Sequence, residues 1–130
     1  MSTRMLSYVF KKVFTVEWDD WNIKQAKKHC KGRDNIEFIK ADLYGEEWDL
    51  PKPDVVFIDA GHTYDNVKSD IENCLKHFDD LIFIFDDYGL PPGDVKKAID
   101  EKVNNGLLKI NKFIILNYIY LNLLEKNQRI

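Results

Sequence analysis

An α/β architecture, a mainly parallel sheet flanked by helices, is predicted by three observations. Short β-rich apolar runs alternate with amphipathic stretches along the chain. Two of the runs, residues 55–58 and 81–85, are apolar at every position, which is the pattern of strands covered on both faces. The third observation is that each run gives way to an acidic residue, at Glu17, Asp42, Asp59 and Asp86-Asp87.

The elements follow in order. Met5, Leu6, Val9 and Phe10 form the apolar stripe of a short first helix opened by Ser2 or Thr3. Val13 to Val16 is a strand expected to be buried on both faces, and Trp21, Ile23, Ala26 and Cys30 mark a weaker helix before the stop at Gly32. Two strands follow, Ile36 to Ile39 and Val55 to Ile58, with a loop between them. Tyr64, Val67, Ile71, Cys74, Leu75 and Phe78 recur every three or four residues, the spacing of an amphipathic helix. Leu81 to Phe85 is the next strand, and Val95, Ala98, Ile99 and Val103 give a last helix for which Asp94 is the expected N-cap. The tail from Leu107 to Leu124 has an ambiguous period, and its Ile, Leu and Tyr content favours two closing strands over one helix.

With 130 residues, 45% of them apolar, the chain is expected to form a single domain, 1–130, with one core. Cys30 and Cys74 show no CxxC spacing and the three histidines no HxxxH, which argues against zinc and leaves two free thiols. Nineteen basic against 22 acidic residues give a net charge of −3, with Lys and Arg spread along the chain, so no nucleic-acid partner is expected. The N-terminus lacks the apolar run of a signal peptide and no stretch reaches membrane-spanning length. A cytosolic protein without membrane attachment is the expectation.

In an open α/β sheet, ligands gather at the carboxyl ends of the strands, so acids there are the candidate functional residues. A carboxylate in such a place can accept hydrogen bonds from a ribose diol, the role open to Glu17; the alternative is a solvated loop acid beside Trp18, Asp19 and Asp20. Three carboxylates, Asp59, Asp86 and Asp87, form a hard oxygen donor set for Mg²⁺, Mn²⁺ or Ca²⁺. His62 is a candidate base for a hydroxyl proton or, alternatively, a loop residue hydrogen-bonded at the entrance of the helix at Tyr64. Tyr64 and Tyr88 read as packing residues. Trp18, Trp21 and Trp48 are expected in the core or beside a bound base rather than as a nucleic-acid stacking platform.

The segments VFTVEWDDWNIKQAKKHC, NIEFIKADLY, PDVVFIDAGHTYDNVKSDIENCL and LIFIFDDYGLPPGDVKKAIDE together resemble the second to fifth strand regions of class I S-adenosylmethionine-dependent methyltransferases. The likeness covers residues 2–105, leaving 106–130 as closing strands or tail, and is nearest to small-molecule O-methyltransferases with an IDxxHxY signature. The resemblance implies a Rossmann-like sheet, S-adenosylmethionine as cofactor, and a small-molecule acceptor with a hydroxyl group. It also implies that Glu17 binds the ribose, that Asp42 binds the adenine amino group, and that Asp59 serves both cofactor and catalysis. In metal-dependent relatives, Asp59, Asp86 and Asp87 would hold a divalent cation, and His62 stands near the position of their catalytic lysine.

The family's first strand and glycine-rich loop find no counterpart, since the six glycines contain no GxG pair. A fold truncated in this way would leave sheet edges to pair with each other, with the tail or with another chain, which could make a homo-oligomer. The alternative function is accordingly a non-catalytic interaction module of the same fold with weak or no cofactor binding. A metal-dependent hydrolase is a more distant alternative.

Overall fold

The computed structural model describes residues 2–44, 47–59, 61–116 and 119–126. The elements run α1 (Ser2–Val9), β1 (Val13–Glu17), α2 (Asp20–His29), β2 (Ile36–Lys40), β3 (Val55–Ile58), α3 (Tyr64–His77), β4 (Ile82–Phe85), α4 (Asp94–Asn104), β5 (Leu108–Leu116) and β6 (Ile119–Lys126), in the expected order. Two compact units divide the chain, Met1–Trp48 and Asp49–Ile130.

In the first unit β1 and β2 pair in parallel, from Val13 opposite Ile36 to Glu17 opposite Lys40. Asp19 caps α2 by accepting a 2.8 Å hydrogen bond from the Asn22 amide, so the acid-rich turn after β1 starts the helix. Two-sided burial of β1 does not occur: only Val13 is buried and Phe14 is exposed. The stripe expected on α1 also fails, because Met5 and Val9 face water while Ser7 is buried. Polar groups hold α1 in its place. Arg33 Nη2 and Asn35 Nδ2 donate to the Ser7 carbonyl at 2.7 and 2.8 Å, satisfying a helix-end acceptor that has no partner within the helix.

The second unit contains most of the core. Strands β3 and β4 pair in parallel with Ile58 opposite Phe85, and the tail forms two strands, as expected, in a sheet of order β3-β4-β6-β5. Strand β6 runs antiparallel to both β4 and β5, with a register shift between Ile110 and Lys112. Phe83 and Phe85 stack at 5.7 Å between centroids and are buried with Leu81 on one face; Val67 and Ile71 of α3 and Val95, Ala98 and Ile99 of α4 are buried too. Ile82 and Ile84 on the opposite face are only half-buried, so the continuous apolar run overstates the cover on that side. The N-cap of α4 is Gly93 at φ 90°, and Asp94 is instead the first helical residue, where its charge favours the positive end of the helix.

Lys102 of α4 is buried and reaches Glu72 of α3 at 2.6 Å. Cys30 and Cys74 are buried free thiols, and burial pushes the Cys74 thiol up to about 12, which keeps it unreactive. No described helix is long and apolar enough to cross a membrane.

Candidate active site

The register of β3 and β4 determines the site in the second unit. With Ile58 opposite Phe85, the next residues, Asp59 and Asp86, leave the sheet side by side, and the Asp86 amide reaches the Ile58 carbonyl at 3.4 Å. Asp86 Oδ1 accepts from the Asp87 amide at 2.8 Å. Asp87 lies in the left-handed region at φ 61°, which aspartate tolerates better than most residues. The turn it makes brings Asp87 Oδ2 to 3.2 Å from His62 Nδ1.

The loop that carries His62 is set by its neighbours. Thr63 caps α3 by accepting from the Asn66 amide at 3.3 Å. Gly61 packs so closely on that first turn that a Cβ would lie 2.7 Å from Asn66 Cβ and 2.8 Å from Asn66 Cγ. Only glycine fits there without a shift.

Removal from water, and secondarily the neighbouring Asp59 carboxylate, raise the Asp86 carboxyl above its ordinary value, opposed by the Asp87 amide and by His62. Asp59, His62 and Asp87 each present one ligand atom, and these atoms all lie within 4.8 Å of one another. The sequence-predicted residues Asp59, His62, Asp86 and Asp87 are thus brought together. His62 stands in this trio, whereas the sequence set of donors has Asp86. The His62–Asp87 pair was not foreseen, since a separation of 25 residues in sequence carries no signal of it.

In the first unit, Glu17 and Asp42 share the carboxyl edge of β1 and β2, where the Ala41 amide donates to the Glu17 carbonyl at 3.2 Å. Glu17 Oε1 accepts from the Trp18 and Asp19 amides at 3.0 and 3.1 Å; Oε2 accepts no hydrogen bond among the described residues. Asp42 is exposed, and its Oδ1 accepts from the Tyr44 amide at 3.0 Å. Tyr64 and Tyr88 are packing residues that tie to α4: the Tyr64 hydroxyl donates to Glu101, and that of Tyr88 to Asp100 at 2.6 Å. Trp18 and Trp21 are exposed rather than in the core, while Trp48 is half-buried with its Nε1 donating to the Leu43 carbonyl.

Parallel strand pairs that present carboxylates at their carboxyl ends, with side-chain-capped helices after β1 and β3, define a Rossmann-like α/β fold. The chain belongs to the methyltransferase-domain family, whose profile matches residues 1–88, in keeping with its resemblance to class I S-adenosylmethionine-dependent enzymes. Solved structures agree on the fold. An N-methyltransferase, NodS, from Bradyrhizobium japonicum is 14% identical with a TM-score of 0.69, the match covering 98% of this chain and 79% of that one. Fibrillarin, a pre-rRNA processing protein of Methanococcus jannaschii, is 16% identical with a TM-score of 0.66, over 91% of this chain and 57% of its own. Aeropyrum pernix fibrillarin, solved with natively bound S-adenosyl-L-methionine, is 16% identical with a TM-score of 0.63, over 88% of this chain and 55% of its own. The chain therefore spans little more than half the length of the two fibrillarins. Among curated protein sequences none matches it significantly.

Proposed function

We infer that the chain carries out S-adenosylmethionine-dependent methyl transfer to the hydroxyl of a small molecule, with both units belonging to one methyltransferase-like domain. The observation that carries this reading is the His62–Asp87 pair beside Asp59 at the carboxyl ends of adjacent parallel strands, in a chain of this family. Bound S-adenosylmethionine supplies an electrophilic methyl group on a sulfonium centre. The residues fit such a cofactor: Glu17 keeps its Oε2 for a ribose hydroxyl while loop amides hold Oε1, and exposed Asp42 accepts from the adenine amino group.

His62 Nδ1 lies 3.2 Å from Asp87 Oδ2, and a proton kept on Nδ1 by that carboxylate leaves Nε2 as the acceptor for another. Nε2 would take the acceptor's hydroxyl proton, and bound S-adenosylmethionine would supply the methyl group to that oxygen, its S–CH3 bond breaking to leave S-adenosylhomocysteine. Asp87 stabilises the imidazolium that results, and Asp59 helps to position the cofactor and the acceptor. The buried free thiols support the cytosolic placement.

A second reading rests on the three converging ligand atoms of Asp59, His62 and Asp87. Two carboxylates and one imidazole suit Mn²⁺ better than Mg²⁺. A cation there would gather and acidify the acceptor hydroxyl, and His62 would be a ligand instead of the base. Transfer of labelled methyl from S-adenosylmethionine to simple phenols and catechols, with chelator and with Mn²⁺, tests both. Activity in chelator that is lost in His62→Ala supports the base. Activity only with Mn²⁺, together with a metal-dependent rise in Tm that Asp59→Asn abolishes, supports the cation. A parent chain that binds no S-adenosylhomocysteine refutes both and leaves the interaction module.

A further inference from the structure

A strongly basic surface lies outside the candidate active site. Between Trp21 and Arg33 the chain has five cations and no acid, although its net charge is −3. The even spread of Lys and Arg by composition conceals this, because the helix period gathers residues three and four apart. Lys24, Lys27, Lys28 and Lys31 occupy one face of α2 and its C-terminal turn, all exposed, around an open depression of about 570 Å³ that Asp20 and Ile23 complete. Asp20 is neutralised there by Lys40, at 2.7 Å. Lys27 lies 5.7 Å from the Phe38 ring, and none of the four lysines forms an ion pair among the described residues. Four ammonium groups thus stand within about 10 Å of helix length. Like charges this close repel; the negative end of α2 offsets Lys27 and Lys28 in its last turn, but no carboxylate pairs with any of the four among the described residues.

An aromatic ring borders the lysines. Trp21 is 65% exposed at the N-terminal end of the same helix, three residues before Lys24 and seven before Lys28, so its indole adjoins the basic face. A large apolar ring in water beside cations that have no carboxylate partner matches a partner that offers both phosphates and flat π-faces. An acidic membrane would instead call for an apolar helix face, and α2 has no buried residue and mostly polar side chains.

We propose that the α2 face of Lys24, Lys27, Lys28 and Lys31, with Trp21 at its border, docks a single-stranded nucleic acid, the lysines on its phosphates and the indole against a base. The docking is independent of methyl transfer and does not identify the methyl acceptor. Fluorescence anisotropy of the full chain with a labelled oligouridylate of about twenty nucleotides tests it. Four phosphate contacts on a single strand predict a slope of about −2.8 in log K against log salt, or about 50-fold weaker binding between roughly 50 and 200 mM salt.

Replacing all four lysines by Gln, which preserves helix propensity, should flatten that slope while circular dichroism confirms an unchanged fold. Trp21→Ala should weaken binding about tenfold with the slope unchanged. The proposal is overturned if the parent chain does not bind at the lower salt, or if the Gln variant keeps the parent slope. It is also overturned if Trp21→Ala has no effect while duplex RNA, heparin or phosphatidylserine vesicles bind as tightly as the single strand. A folded Gln variant that loses oligouridylate but keeps methyl transfer would support docking and the Proposed function separately.

Discussion

Replacing Glu17 by Gln tests the cofactor site most directly, because the structure divides the labour of the two carboxylate oxygens. Oε1 is engaged by the Trp18 and Asp19 amides, which leaves Oε2 for a ribose hydroxyl. Glu17→Gln can keep Oε1 as an acceptor while an amide nitrogen takes the place of Oε2. What is lost is then one charge-assisted hydrogen bond, worth about 1.5–3 kcal/mol, or roughly 10- to 150-fold in Kd. Glu17→Ala also strips the acceptor from two loop amides, so it should lower stability by about 1 kcal/mol in addition to weakening binding. Isothermal calorimetry with S-adenosylhomocysteine, alongside thermal melts, separates the two effects. A Gln variant that binds within about twofold of the parent would refute the ribose assignment. Weak binding by Ala alone would mean that Glu17 shapes the loop without touching the ligand.

Three further outcomes follow from the second unit. Glu72→Ala should cost about 1–3 kcal/mol by urea denaturation, less than a fully buried pair because Glu72 is half exposed, whereas Lys102→Met should be neutral or stabilising. Asp86→Asn should raise Tm at neutral pH in the presence of chelator. The folded state raises the Asp86 carboxyl, chiefly by burial, so its stabilising contribution is complete below the ordinary carboxylate value and is lost as pH rises through the raised one. The advantage of Asn should accordingly shrink as pH falls toward the carboxylate range, and a constant difference would contradict the shift. Gly61→Ala should destabilise by about 1–3 kcal/mol, since the added methyl meets the Asn66 side chain; an unchanged Tm would show that the α3 entrance gives way.

The local pattern of the chain was enough for the order of elements and for which residues leave the strands. Apolar runs of four or five residues bounded by charge establish strands at 13–16, 55–58 and 81–85, and a three-and-four spacing establishes α3. Acids at strand ends were legible for the same reason, because the change from an apolar run to a polar loop is itself written in consecutive residues. The resemblance over residues 2–105 rests on these same stretches, and the family match spans 1–88.

Tertiary structure alone decided what meets across the sequence. The parallel register of β3 and β4 sets Asp59 beside Asp86 and brings His62 to Asp87, and register depends on non-local pairing that no local period encodes. It also decided burial: Ser7 and Lys102 lie inside while Val9 and Trp21 face water, because partners elsewhere in the chain, Arg33 and Glu72, satisfy the buried polar groups. A sequence states what each residue prefers in isolation. Which preference prevails depends on the area covered and on the hydrogen-bond partners supplied by segments tens of residues away, and these come into being only with the fold.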